Sequence, residues 1–233
     1  MHATVQTIVD TLSAAIVERR LKPGLQMIES KLMQHFVASP ALVQQALQRL
    51  AYDKLVTIDP RRGACIATPS LHEAQEVFEV RRILEAEVVR MFVQQIDAGQ
   101  VRTLRNLLAK ERELVAKSAA TGRVALQGDF HLALVQLLGN TVLAQMLRNL
   151  INRCALITEM YQTVHDEQAS NREHIQILEA KIAKKLGTAV ELMEEHLFNE
   201  VSKLALHRPP ESYDQTQVFE SSFMGTMQAP MET

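Results

Sequence analysis

From residue 70 to about residue 207 apolar side chains recur every three or four positions, and the recurrence restarts after each brief break. A repeat near 3.6 residues is satisfied only by helices that turn one stripe toward each other. The spacing predicts helices over 70–98, 101–119, 124–138, 141–165, 170–186 and 188–207. Ser70 stands ready to cap the first, whose apolar set is Val77, Val80, Leu84, Val88 and Met91. Breaks fall at Gly99, Thr121-Gly122, Gly139-Asn140, around Asp166 and at Gly187. Connections this short make neighbouring helices antiparallel, so the segment is expected to form an antiparallel bundle. With 8 Gly, 7 Pro and 4% aromatic residues in 233, the chain lacks the turns of an all-β fold and has a Leu/Val/Ala/Met core instead.

Residues 1–69 follow another pattern. A helix over 5–21 carries Val5, Ile8, Val9, Leu12, Ile16 and Val17 on one stripe and stops at Lys22-Pro23-Gly24. After an extended link at 25–28 comes a helix over 29–36, then the turn Val37-Ala38-Ser39. Ser39 and Pro40 open a third helix as cap and first residue. Its stripe is Ala41, Leu42 or Val43, Ala46, Leu47, Leu50 and Ala51, while Gln44, Gln45, Gln48 and Arg49 fall on the other faces. Two short helices about a tight turn make a helix-turn-helix. Residues 55–59 alternate like a strand, Pro60-Arg61-Arg62-Gly63 is a turn, and 64–68 return. Glutamine amides and arginine match base edges in the major groove, and cations on a hairpin tip match phosphates or a narrow minor groove. The plainer alternative is a solvated helix face and an ordinary surface hairpin. The overall charge of -2 supplies no global basic field, so any DNA contact must be local.

In the bundle, Gln127 and His131 lie four apart and share a helix face, with His174 and His196 on two later helices. A turn at Gly187 would pack those later helices antiparallel with both imidazoles inward. Three imidazoles from three helices suit Zn, Ni, Cu or Fe, although 8 His in a helical chain also offer such a trio by chance. Arg81 can meet a ligand carboxylate, or pair with Glu85 one turn on. No HExxH, Gly-x-Ser-x-Gly or phosphate-cradling glycine loop occurs, so the chain is read as no enzyme. A metal-dependent enzyme built on the His trio, or a binding module without DNA contact, are the competing readings. Cys65 and Cys154 lie far apart, as free thiols in a reducing cytoplasm do. The opening MHATVQTIVD is unlike a signal peptide, and no apolar run reaches the roughly 18 residues of a membrane span. Residues 209–233, with Glu211, Asp214, Glu220 and Glu232 and no Lys or Arg, are expected to be a flexible acidic tail.

Taken in order, LKPGLQMIESKL, SPALVQQALQRLAYDKLVTI, PRRGACI, EVRRILEAE, DFHLALVQLLGN, REHIQILEAKI and EEHL make the chain resemble a GntR-family transcriptional regulator of the FadR type with an FCD-like effector domain. The resemblance runs to about Arg208. It implies a mainly α protein: a winged helix-turn-helix over 1–69 with a small β-hairpin wing, then an FCD-like helical effector and dimerisation domain over 70–208. It further implies a homodimer on a palindromic operator, sensing a small carboxylate. Ser39, Gln44, Gln45, Gln48, Arg49, Arg61 and Arg62 would face DNA; Arg81, Gln127, His131, His174 and His196 would face the effector. Gln127, His131, His174 and His196 also map onto the metal-binding positions of the family, for Zn or Ni. There are departures. The family's usual metal-ligating acid is Gln127 here, and arginines common in its DNA-binding head are replaced by Ser30, Pro40 and Gln44.

Overall fold

The computed structural model describes residues 3–116, 123–163 and 167–205. Its elements run α1 (Val5–Val17), α2 (Glu29–Phe36), α3 (Pro40–Tyr52), β1 (Val56–Asp59), β2 (Gly63–Ile66), α4 (Leu71–Gln95), α5 (Ala98–Ala116), α6 (Arg123–Leu137), α7 (Thr141–Tyr161), α8 (Glu167–Ile182) and α9 (Leu186–Ser202). The chain is therefore mainly helical with one small antiparallel hairpin, as the periodicity requires. The described residues separate into two compact units, 3–69 with 155–160, and the remainder of 70–205. No helix among them is long and apolar enough to cross a membrane. The tail expected at 209–233 lies outside the described residues.

In the first unit, Ile8, Leu12 and Ile16 of α1 pack with Leu32 of α2 and with Val43, Ala46, Leu47 and Leu50 of α3. Val43 fills the inward position; Ala41 faces solvent and Ala51 is half-buried, so the α3 stripe is narrower than its apolar spacing suggests. Helix α1 stops at Val17, short of residue 21, because Arg19 is left-handed (φ 59°) and the Arg20 and Leu21 amides turn back to the Ala15 carbonyl. The hairpin pairs Val56 with Ile66 and Asp59 with Gly63, so Gly63 opens the second strand instead of ending the turn. The link at 25–28 joins this ladder: Met27 N–H donates to the Ala64 carbonyl at 2.8 Å and Ile66 N–H to the Leu25 carbonyl at 2.8 Å.

In the second unit, α4 buries Ala74, Val77, Phe78, Arg81, Glu85, Val88, Val89 and Phe92. Val80, expected inside, is 42% exposed; the seam runs one position round the helix and carries Arg81 and Glu85 into the core. Gly99 does not break the chain. The α4–α5 break falls at Ile96-Asp97, where Asp97 Oδ1 accepts from the Gln100 amide at 2.9 Å and Gln100 Oε1 accepts from the Asp97 amide at 3.0 Å. That reciprocal cap starts α5 with the glycine inside its first turn. Likewise α8 starts at Glu167, ahead of residue 170, and the α8–α9 reversal is made by left-handed Lys184 (φ 55°), with Gly187 already helical.

The turn between α2 and α3 rests on Val37, left-handed at φ 49° and 89% exposed. A β-branched side chain is unfavourable there, and glycine is the usual occupant of such a helix-ending position. Val37→Gly is expected to stabilise the protein by about 1 kcal/mol, the relieved left-handed strain exceeding the added chain entropy of glycine. Urea unfolding checks this; a lower midpoint for the variant would show that Val37 is not strained.

Candidate metal centre and nucleic-acid interface

Helices α6, α8 and α9 bring His131, His174 and His196 to one point inside the second unit. Their Nε2 atoms stand 3.3 Å (131–174), 3.3 Å (174–196) and 3.2 Å (131–196) apart. All three rings are buried. Phe130, next to His131 on α6, stacks on the His174 ring at 4.2 Å between centroids.

Each imidazole has a carboxylate on its other nitrogen. His131 Nδ1 meets Glu85 of α4, His174 Nδ1 meets Glu111 of α5 at 3.4 Å, and His196 Nδ1 meets Glu173 of α8 at 2.7 Å. A carboxylate accepts, so it places the ring proton on Nδ1 and leaves Nε2 as a bare lone pair. Three lone pairs then converge at hydrogen-bond distance with no proton between them. That arrangement is repulsive unless a cation sits among them. Nitrogens sharing one metal at ~2.0–2.1 Å stand roughly 3.0–3.4 Å apart, which is the spacing seen. The donor set fits a divalent ion of the Zn or Ni kind with positions left for a further ligand.

The carboxylates are themselves held. Glu85 Oε1 accepts from Arg81 Nε at 2.7 Å, and Arg81 Nη1 reaches Cys154 Sγ at 3.4 Å. Burial alone would raise the Glu85 carboxyl, but the Arg81 and His131 side chains outweigh it and bring it to about 2. Burial pushes His131 down to about 3 against the pull of Glu85, and burial likewise lowers His174. Cys154 is raised by burial, so its thiol stays protonated. Glu111 and Glu173 are tied by amides: Asn171 Nδ2 donates to Glu111 Oε2 at 2.9 Å and Asn199 Nδ2 to Glu173 Oε1 at 2.8 Å.

The sequence thus supplies the three histidines, and the structure brings them together. Arg81 is paired with Glu85, the alternative its spacing left open. The Gln127 side chain lies outside the described residues. That Glu85, Glu111 and Glu173 each back one imidazole is the part that sequence reading missed. For two of them a signal existed. Glu111 falls on the stripe Val101, Leu104, Leu108, and Glu85 on the seam Phe78, Arg81, Val88, Val89, so each is an acid at a core position.

In the first unit, Gln44, Gln45, Gln48 and Arg49 all face solvent on α3. Gln44 Nε2 donates to Glu29 Oε2 at 3.3 Å, and Arg49 Nε lies 3.6 Å from Asp53 Oδ2. Ser39 is exposed but its hydroxyl accepts from the Leu42 amide at 3.4 Å, so it serves as the helix cap. At the hairpin tip Asp59 Oδ1 accepts from the Arg61 and Arg62 amides at 2.7 and 2.9 Å, which lowers its carboxyl pKa. Gln26 Nε2 donates to the Arg62 carbonyl at 2.7 Å. The tip backbone is fixed on both sides while both arginine side chains remain exposed. Elsewhere in this unit Arg19 and Lys22 pair with Glu159, and Arg20 pairs with Glu18 at 2.7 Å.

Two family models match. The model for bacterial regulatory proteins of the gntR family covers residues 4–66, and the FCD domain model covers residues 76–199. The chain is 26% identical to the HTH-type transcriptional repressor RspR of Escherichia coli over 194 residues, 82% of this chain and 85% of that protein. It is 26% identical over 178 residues to the HTH-type transcriptional regulator YdhC of Bacillus subtilis, 75% of this chain and 78% of that protein. In fold it is similar to Escherichia coli McbR/YncC, with a TM-score of 0.75 at 19% identity, covering 87% of this chain and 97% of that one. A GntR regulator from Rhodococcus sp. RHA1 aligns with a TM-score of 0.73 at 23% identity, over 85% of this chain and 96% of that one. The relatives are transcriptional regulators, not enzymes. The helix-turn-helix with its hairpin and the histidine-centred bundle are therefore the two parts of one kind of protein, and the chain belongs to the GntR family of DNA-binding transcriptional regulators, with an FCD domain following its DNA-binding head.

Proposed function

We propose that this regulator binds a divalent metal on His131, His174 and His196 and uses it to sense a small carboxylate metabolite, working as a homodimer on a palindromic operator. The observation that carries the metal is the three bare Nε2 atoms within 3.3 Å of one another, each backed by a carboxylate on Nδ1. The bound ion would supply a positive centre for the effector's carboxylate, with Gln127 and Arg81 as neighbouring contacts. Arg81 is engaged by Glu85 and Cys154, so it reaches an effector only by exchanging one of them. The domains divide as the resemblance implies, 1–69 for DNA and 70–208 for effector and dimer, with 209–233 as tail. The head and bundle are those of a regulator that acts on DNA in the cytoplasm. On the head, Gln44, Gln45, Gln48 and Arg49 face the major groove, Ser39 sets the start of their helix, and Arg61 and Arg62 reach the backbone or minor groove.

Two experiments test the reading. Metal analysis after gentle purification is expected to find Zn or Ni, and chelator-stripped protein is expected to regain its melting temperature on adding either ion, an effect abolished in His174→Ala. Glu85→Gln should weaken metal binding by about 10–100-fold while leaving all three histidines in place. A stripped protein whose melting temperature ignores both ions would remove the metal. For the wing, Arg61→Ala/Arg62→Ala should lower operator affinity about tenfold and flatten the log-affinity against log-salt slope by about 2, since each lost phosphate contact releases one counterion fewer. Equal gel-shift titrations for variant and parent would take the wing out of the interface.

A further inference from the structure

One face of α9 runs through Ala189, Met193, His196, Glu200 and Lys203, in steps of four, three, four and three residues. The first three are buried, and one turn beyond His196 the face changes to charged side chains. Glu200 Oε1 accepts from Lys203 Nζ at 2.9 Å, with only 17% of the Glu200 side chain and 14% of the Lys203 side chain exposed. We infer that Glu200 and Lys203 set the specificity of the effector site, and that the effector is a small amino carboxylate, its acid group toward the ion and Arg81 and its ammonium on Glu200. The inference rests on the metal-centred effector site proposed above and names the class of molecule that enters it.

Position comes first. Helices α4 and α9 pack against each other, and Arg81 is buried on the α4 side. Burial alone would raise the Glu200 carboxyl, but His196, Lys203 and Arg81 outweigh it and hold it below the usual carboxylate range. The same carboxylate acts on His174 and on Cys154, the thiol that Arg81 touches. Glu200 thus stands where the histidine centre meets Arg81. Its backbone neighbourhood is pinned: the Lys203 carbonyl accepts from the Thr163 amide at 3.1 Å, and the Ala205 amide donates to the Tyr161 carbonyl at 2.8 Å. The other carboxylate oxygen, Oε2, has no hydrogen-bond partner among the described residues. A carboxylate largely out of water with an open acceptor calls for a donor.

Charge balance decides the class. Arg81 and Lys203 set two positive charges against four negative ones on Glu85, Glu111, Glu173 and Glu200, each taken as ionised. A divalent ion would bring that excess to zero. A simple carboxylate then leaves the core one charge negative and a dicarboxylate two, whereas a zwitterion leaves it balanced. A second carboxylate must also draw Lys203 away and leave Glu200 bare beside a like charge, a repulsion of the kind that sets specificity. An ammonium instead takes the open Glu200 oxygen in a charge-assisted contact and leaves Lys203 in place.

Isothermal titration of the zinc-loaded full chain with β-alanine, 4-aminobutyrate, butyrate and succinate tests it. At least one of the two amino acids is expected to bind at least tenfold more tightly than butyrate, and succinate no more tightly than butyrate. The ratio of amino acid to butyrate affinity should fall to near one in Glu200→Gln, and stay above one in Glu200→Asp, which keeps the charge. The double variant Glu200→Gln/Lys203→Gln, which leaves neither charge without its partner, should lose the preference as Glu200→Gln does. Reading a ratio separates lost selectivity from a general loss of binding. Butyrate binding as tightly as both amino acids, or succinate binding tightest, overturns the amino carboxylate and leaves the effector site standing. A preference that persists in both glutamine variants overturns the role of Glu200. No probe binding at several millimolar, or no uptake of zinc, overturns the effector site and this inference with it.

Discussion

Three imidazoles cannot be buried at contact distance without something deciding where their protons go. In this bundle three carboxylates decide it, one for each ring, from α4, α5 and α8. The decision has a cost: taking charged groups out of water is unfavourable by several kcal/mol per ion unless they are paired and hydrogen-bonded. The bundle meets that cost locally. Arg81 lies four residues before Glu85 on the same buried seam, Asn171 lies three residues before His174, and Asn199 lies three residues after His196. One-turn spacing on a helix thus supplies both the ring or acid and a stabilising partner; removing Arg81 would leave Glu85 without its counter-charge in the core, and removing Asn171 or Asn199 would cost Glu111 or Glu173 a hydrogen bond.

The head solves the opposite problem. The side chains proposed above to contact DNA are exposed, so stability has to come from elsewhere. Val43, Ala46, Leu47 and Leu50 anchor α3 by one face only, leaving the glutamines on the other. The wing is stiffened by backbone contacts from Asp59 and Gln26, which leave the Arg61 and Arg62 side chains free of that task. Pairing Arg19, Arg20 and Lys22 with acids concentrates the remaining positive charge on fewer places. A chain of overall charge -2 can therefore present a locally basic edge.

Most of the architecture was legible because helix periodicity and capping are local. Ser39-Pro40 and Ser70 start helices as their chemistry requires. Where glycine was read as a stop, at Gly99 and Gly187, the chain stopped a few residues earlier at Asp97 and Lys184, since a reciprocal cap or a left-handed residue ends a helix as well as glycine does. The histidine trio was legible as three residue numbers on helices expected to pack together. Its carboxylates were harder to see. Glu85 and Glu111 sit where the period demands an apolar side chain, and nothing in a linear pattern says which distant ring an inward acid will meet.

That placement of acids bears on the substitution at position 127. Where a metal is held by an acid and several histidines, one negative charge touches the ion. Here the charge stands one bond-shell further out, on Glu85, Glu111 and Glu173, and reaches the site through imidazole N–H groups. Counted with its carboxylates ionised, the cluster of Arg81, three acids and three imidazoles carries two more negative charges than positive ones. A divalent ion bound as proposed above would cancel that excess. An ion faced by neutral nitrogens is also a stronger attractor for an incoming carboxylate than one already touching an acid. On the metal reading proposed above, a neutral Gln127 and charged outer carboxylates would be compatible: the carboxylates would sustain affinity for the metal, and the amide would leave the metal's own charge available to a carboxylate ligand.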